Sequence, residues 1–271
     1  MNESGTIKSF DGLKLFFQKQ GCGPAVLMVH GACVDSDCFE PLAALLEKRC
    51  TVYRYDRAGY GRSESREDRD SLLANARDLL EILRQIGPPV RVIAHSAGGA
   101  VAMKLAEIQP NAMSALLVFE PLIIRDLIQD ADRRVQFQEI SDLIQRTQNI
   151  YQAFSRFEQF FDNPHSRAQN LSSEEARRVL KNCKTFFLRD YESFQEYLPD
   201  YGRLRQLPIL IGCSSLGENT FRREESALLA ERTSRPLVVF QGGHNAPFEN
   251  PEAFASQWDT LNDCFGEGGK L

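Results

Sequence analysis

Apolar residues along this chain fall into two alternating rhythms. Short continuous runs, Ala25–Val29, Thr51–Tyr55, Val90–Ala94, Ala115–Phe119, Ile209–Ile211 and Leu237–Phe240, have the length and branching of strands buried on both faces. Between them lie stretches with helical spacing. One covers about 38–48 with Leu42, Leu45 and Leu46 on one side, and a second runs from Leu72 to Ile86. Gly87-Pro88-Pro89 closes the second, and Pro110 stops a third that runs from about Gly98 to Gln109. Further helices are expected over about 221–232 and through Phe254 and Trp258. Ahead of all this, Ile7–Phe10 and Leu13–Phe17 flank Asp11-Gly12, the residues a tight hairpin turn prefers. Strands alternating with helices imply an α/β fold with a mostly parallel, doubly wound sheet.

From 122 to 206 the rhythm changes: no strand-like run appears, and helical periodicity marked by Leu127, Val135, Ile140 and Ile144 takes over. Asn163-Pro164 breaks it, and Ser172-x-x-Glu175 is a capping box that starts a new helix toward Leu188. The sequence thus predicts a core of residues 1–121 and 207–271 with a helical cap at 122–206. The cap is rich in aromatic residues. Spacings such as Phe154/Phe157/Phe161 and Phe187/Tyr191/Phe194 are helical, and most of these rings are expected to pack a small core of the cap's own, with a few facing a pocket.

Composition sharpens this little and excludes some partners. The 271 residues carry 42% hydrophobic and 25% charged side chains with a net charge of −5, ordinary for a globular enzyme. Nucleic acid and anionic membranes are disfavoured as partners, since both require a basic face. No run approaches a membrane span, and Met1–Gly5 lacks the basic flank and apolar centre of a signal peptide. Seven cysteines without a Cys-x-x-Cys indicate neither a disulfide framework nor a zinc site, so free thiols, a cytoplasmic location and no metal are expected. The composition leaves the oligomeric state open.

The chemistry gathers at strand ends. Val90–His95 runs into Ser96-Ala97-Gly98-Gly99 and then into a helical pattern. Small-x-Ser-x-Gly between a strand and a helix is a nucleophile elbow, a turn so sharp that only Gly or Ala fits two positions either side; Ala94 and Gly98 comply. The serine hydroxyl then stands above the sheet edge, beside a helix N-terminus that favours developing negative charge. His30-Gly31, Ser96 and Glu120 all lie just past strand ends, and in a doubly wound sheet those ends share one edge where ligands bind.

Four ordered blocks carry a resemblance to the α/β-hydrolase superfamily: His30-Gly31 after a strand, Asp56-Arg57-Ala58-Gly59-Tyr60-Gly61-Arg62-Ser63, the elbow around Ser96, and Gly243-His244 before Pro251-Glu252-x-Phe254. The resemblance implies a nucleophile–acid–base triad in the chain order Ser, acid, His. Ser96 matches the nucleophile, and Ala94 stands where Gly is commoner. Of four histidines, His244 alone follows the last strand and matches the base. His30 belongs to a structural turn, His165 lies in the cap, and His95, as the neighbour of the nucleophile, points off its face. Many members place an Asp after the strand that corresponds to Ile209–Ile211. Here that loop, Gly212 to Asn219, has none. Glu120, which ends the preceding strand, is the preferred acid and Glu218 the alternative. The resemblance further implies an oxyanion hole from the backbone N–H groups of Ala32 and Ala97, with Cys33 and His95 as candidate pocket residues, and Asp56, Arg57 and Arg62 as structural. No cofactor is required. The implied reaction is hydrolysis of a small, partly apolar ester, thioester, lactone or carbon–carbon substrate. A cofactor-free lyase or oxygenase and a non-catalytic small-molecule receptor are the competing classes on such a scaffold.

Overall fold

In the computed structural model, residues 2–66, 72–125, 131–147, 149–160, 172–216 and 221–266 are described. The opening hairpin pairs β1 (Glu3–Lys8) with β2 (Lys14–Gly21). It ends earlier than the apolar pattern suggests, because Ser9 closes the turn: its N–H donates to the Leu13 carbonyl and its hydroxyl accepts from the Leu13 N–H at 2.7 Å. There follow β3 (Ala25–Val29), a 3-10 turn at Ser36–Phe39, α1 (Glu40–Leu46), β4 (Thr51–Tyr55), α2 (Leu72–Ile86), β5 (Val90–His95), α3 (Ala97–Ile108) and β6 (Ala115–Phe119). Between β6 and β7 (Ile209–Ser214) the described residues form only helices: α4 (Ala131–Thr147), α5 (Ile150–Phe160), α6 (Ser173–Thr185), a π-helical turn Phe186–Asp190, α7 (Tyr191–Gln195) and α8 (Tyr201–Leu204). The chain finishes with α9 (Phe221–Thr233), β8 (Leu237–Phe240), α10 (Ala246–Glu249) and α11 (Pro251–Gly266).

The eight strands form one sheet in the order β1-β2-β4-β3-β5-β6-β7-β8, parallel from β4 to β8 and antiparallel at the β1-β2-β4 end. β3 lies between β4 and β5, so the chain turns to opposite sides after β3 and after β4. That is the switch point at which open α/β sheets leave a crevice beyond their carboxyl ends. Strand residues alternate between two cores. Leu27, Val29, Val92, Ala94, Leu116 and Val118 face α2 and α3, while Val26, Met28, Ile93, Leu117 and Phe119 face α1 and α11.

One expectation is corrected here. The cap's aromatic residues do not build a separate small core: Phe157, Phe186, Phe187, Tyr191 and Phe194 belong to the same continuous apolar cluster as α2, α3 and one face of the sheet. The physical reason is a polar clamp that ties the helices between β6 and β7 to the loop after β4. Arg57, fully buried, donates to Asp190 at 3.1 Å, and the Tyr60 hydroxyl donates to the same carboxylate oxygen at 2.8 Å. Thr185 donates to the Gly59 carbonyl at 2.8 Å, Lys181 to the Gly61 carbonyl at 2.7 Å, and Asn182 accepts from the Gly61 N–H at 2.7 Å. The segment from Asp56 to Ser63 is therefore the platform on which α6 sits. Breaking one partner of a buried pair leaves an uncompensated charge, which costs about 3–5 kcal/mol. Asp190→Ala is expected to destabilise the protein by that amount in urea unfolding; a loss under about 1 kcal/mol would show the pair to be dispensable.

Asn163-Pro164, His165, Phe161, Leu127 and Glu218 lie outside the described residues. None of the described helices is long and apolar enough to cross a membrane.

Candidate active site

Beyond Val29 and His95 the chain makes two tight turns that touch. At the second, Ser96 adopts φ 54° and ψ −124°, a backbone conformation that costs an L-residue about 1–3 kcal/mol and persists only where neighbours fix it. They do so here. The Ser96 N–H donates to the Phe119 carbonyl at 3.0 Å, and the Ser96 carbonyl accepts from Gly99 at 2.8 Å and from Leu122 at 3.1 Å. Gly98 allows the approach, since a Cβ there would stand 2.3 Å from the Val29 carbonyl oxygen. Ala97 opens α3, and the first N–H groups of a helix have no internal partner. Ala32 follows the His30-Gly31 turn and lines the same cavity as Ser96.

The other strand ends bring a carboxylate and an imidazole together. Glu120 ends β6 with φ 42° and is almost fully buried. Its Oε1 accepts from the Ser214 N–H at 2.8 Å and its Oε2 accepts from His244 Nδ1 at 2.7 Å. His244 follows β8, and its carbonyl accepts from His95 Nε2 at 2.9 Å. With its Nδ1 proton on Glu120, His244 carries a lone pair on Nε2. That lone pair accepts from Arg222 Nη1 at 2.6 Å. Burial, and after it the Arg222 charge, holds His244 well below 6.5, so the ring is neutral at pH 7.

Ser96 and His244 face one cavity of about 580 Å3, a size suited to a small organic molecule. One wall is apolar, with Val34, Phe154, Phe157, Val179 and Phe248. The same lining carries Asp35, Asp37, Arg178 and Asn182, tied to one another by Asn182–Asp35 at 3.1 Å and Arg178–Asp37 at 2.8 Å.

Similarity to known proteins runs through the whole of this architecture. The alpha/beta hydrolase family matches residues 26–257. The chain belongs to that family. A curated relative, the uncharacterized hydrolase YraK of Bacillus subtilis (strain 168), is 25% identical over 251 residues, which span 89% of each chain. Among solved structures, an esterase from Exiguobacterium antarcticum superposes with a TM-score of 0.76 at 17% identity, covering 98% of this chain and 100% of that one. A putative lipase from Acinetobacter baumannii AYE gives 0.76 at 19% identity, covering 99% and 93%. At these identities the two structures speak to the fold alone.

In this α/β-fold hydrolase the remaining candidate residues separate clearly. His30 is locked inside the turn: Nδ1 donates to the Gly31 carbonyl at 2.9 Å and Nε2 accepts from the Arg57 N–H at 2.9 Å. Burial and the Arg57 charge push it down to about 3, so it stays neutral. His95 does not turn away from the site. It lines the cavity and supports the His244 backbone, with its ring centroid 4.4 Å from that of His244 and the planes tilted by 41°. Cys33, with φ 59°, lines the cavity beside Ala32.

Two features escape sequence reasoning. Ser214, whose N–H anchors Glu120, contributes only backbone, so no side-chain pattern announces it. Arg222 sits in the first turn of α9, eight positions past β7. The one available signal is that Arg222-Arg223 places cations at a helix N-terminus, against the dipole. A cation kept in an unfavourable position is a reason to look for what else it touches.

Proposed function

We propose that this hydrolase is a serine hydrolase that cleaves a small, partly apolar ester-like substrate through an acyl-enzyme, with Ser96 as nucleophile, His244 as base and Glu120 as the acid that orients it. The observation carrying this reading is the 2.7 Å contact between His244 Nδ1 and a doubly held Glu120, with His244 and Ser96 lining one cavity. His244 Nε2 takes the Ser96 proton as Oγ bonds to the substrate carbonyl carbon, and the carbonyl oxygen becomes an oxyanion facing the Ala32 and Ala97 N–H groups. The carbon–oxygen bond to the leaving group then breaks and the leaving alkoxide takes the proton from His244. Water repeats the sequence on the acyl-enzyme, giving the acid and free Ser96. Glu120 Oε2 accepts from Nδ1 and so holds the proton there, which keeps Nε2 available.

A fluorophosphonate probe with peptide mapping tests the reading. It is expected to label Ser96, and Ser96 alone, in protein that turns over p-nitrophenyl esters and thioesters. Turnover without labelling would replace the acyl-enzyme with proton abstraction by His244, and labelling at another residue would remove Ser96 from its role.

The pH profile is a second check. Activity needs neutral His244, so it is lost as pH falls through that group's pKa. Because burial and Arg222 lower that pKa, kcat/KM on a neutral ester is expected to stay level from pH 7.5 down past about 6.5, the ordinary histidine value, and to fall only below it. An acid limb centred at or above the ordinary value would contradict the environment assigned to His244.

A further inference from the structure

The base of the proposed triad is occupied by the wrong partner for catalysis. His244 Nε2 must accept the Ser96 proton, yet its lone pair already accepts from Arg222 Nη1 at 2.6 Å, and Ser96 Oγ forms no hydrogen bond among the described residues. Arg222 obstructs in two ways. A guanidinium only donates, so while it holds Nε2 that atom has no lone pair for the serine proton. Its positive charge also opposes the imidazolium that forms when His244 takes that proton. Arg222 is itself buried, at 4% exposure, and lines the same cavity as Ser96 and His244. A side chain that only stabilised the fold would not need to sit on the reacting nitrogen.

The chemistry that resolves this is a ligand able to draw the guanidinium away and cancel its charge at once. A carboxylate does both: its two oxygens match the planar guanidinium fork, and the pair is stronger than a hydrogen bond to a neutral imidazole nitrogen. The acids around the cavity have partners of their own: the buried Glu225 carboxylate, which lies within the field of the Arg222 charge, accepts through Oε1 from the Ile123 N–H at 2.9 Å. Asp37 is held by Arg62 and Arg178 at 2.8 Å each, Asp35 accepts from Asn182, and Glu175 closes the capping box at the start of its own helix. We propose that Arg222 is the specificity-determining residue of this hydrolase: it receives a carboxylate carried by the substrate, and until that group arrives it holds His244 idle. The proposal rests on the serine-hydrolase reading above and names its substrate class, an ester or ester-like compound bearing a free carboxylate a few atoms from the scissile carbonyl. An apolar wall of Phe154, Phe157 and Phe248 on the same cavity accommodates the chain between the two groups.

A matched pair of esters reads this out: mono-p-nitrophenyl glutarate, which carries a terminal carboxylate, and p-nitrophenyl valerate, which does not. The wild-type protein is expected to prefer the glutarate ester at least tenfold in kcat/KM. In Arg222→Met the preference is expected to collapse to within twofold, by loss on the glutarate ester and gain on the valerate ester. Arg222→Lys, which keeps the charge without the fork, is expected to fall between them. Labelling by an uncharged fluorophosphonate is expected to run severalfold faster in Arg222→Met than in wild type, an effect no purely structural role produces. Equal use of the two esters by wild type overturns the proposal without any variant, and a preference that survives in Arg222→Met overturns it as well. Labelling separates the two levels: Ser96 labelled without charge preference removes Arg222 alone, whereas no labelling of either protein removes the serine reading and the proposal with it.

Discussion

Ser96→Ala is expected to lower kcat on any substrate of the enzyme by about 10⁶-fold, the loss seen when the nucleophile of such a triad is removed. In triad hydrolases of this kind the residual rate comes from binding and oxyanion donors, which do not depend on the serine side chain. The fold should not register the change. Alanine keeps the Cβ at this position, the bonds that fix φ 54° are all backbone, and the Ser96 hydroxyl forms no hydrogen bond among the described residues. Thermal or urea unfolding is expected to agree with wild type to within about 1 kcal/mol. A variant that keeps even a hundredth of wild-type activity while folded would rule out serine as the nucleophile.

Glu120→Gln is expected to reduce kcat by about 10⁴-fold, by spoiling the tautomer of His244 and not its position. The two oxygens of Glu120 face two donors, the Ser214 N–H and His244 Nδ1–H. A carboxamide has one oxygen and one NH₂, so it satisfies one donor and confronts the other with a second donor. If the oxygen stays on Ser214, the NH₂ faces His244 Nδ1 and drives the ring proton to Nε2, where it blocks acceptance from Ser96. Comparison with Glu120→Asp separates charge from reach, because Asp keeps both acceptors on a shorter stem. Kinetics on a neutral ester, with circular dichroism to verify the fold, measures both. Activity near wild type in Glu120→Gln would move the acid elsewhere in the chain.

Much of this was legible in the sequence, for identifiable reasons. Strand ends can be read from apolar runs and Pro or Gly stops, and a parallel sheet sends those ends to one edge, so Ser96, Glu120 and the turn at His30 converge without any knowledge of contacts. The steric rule at Ala94 and Gly98 marks the elbow because a Cβ at residue 98 would collide with the Val29 carbonyl. Long-range packing within the helices is less legible. The spacing of Phe187, Tyr191 and Phe194 gives a helical face and does not say what it meets; the answer, one shared core, depends on the polar clamp between Asp190 and Arg57. Arg222 is the furthest from the sequence signal. Its role depends on the relative rotation of α9 and the loop after β8, two elements that no periodicity relates.

Arg57 has a further consequence. The same guanidinium that donates to Asp190 in the cap also donates to the Gly31 carbonyl at 3.1 Å, in the turn that carries Ala32. The helices between β6 and β7 and the rest of the chain are therefore not interchangeable modules. A chimaera that grafts a foreign cap between β6 and β7 would need an acidic residue at the place of Asp190, or it would leave a buried cation pulling on the backbone beside Ser96. In this chain a graft is expected to fold only when the turn, the arginine and the acid are kept together.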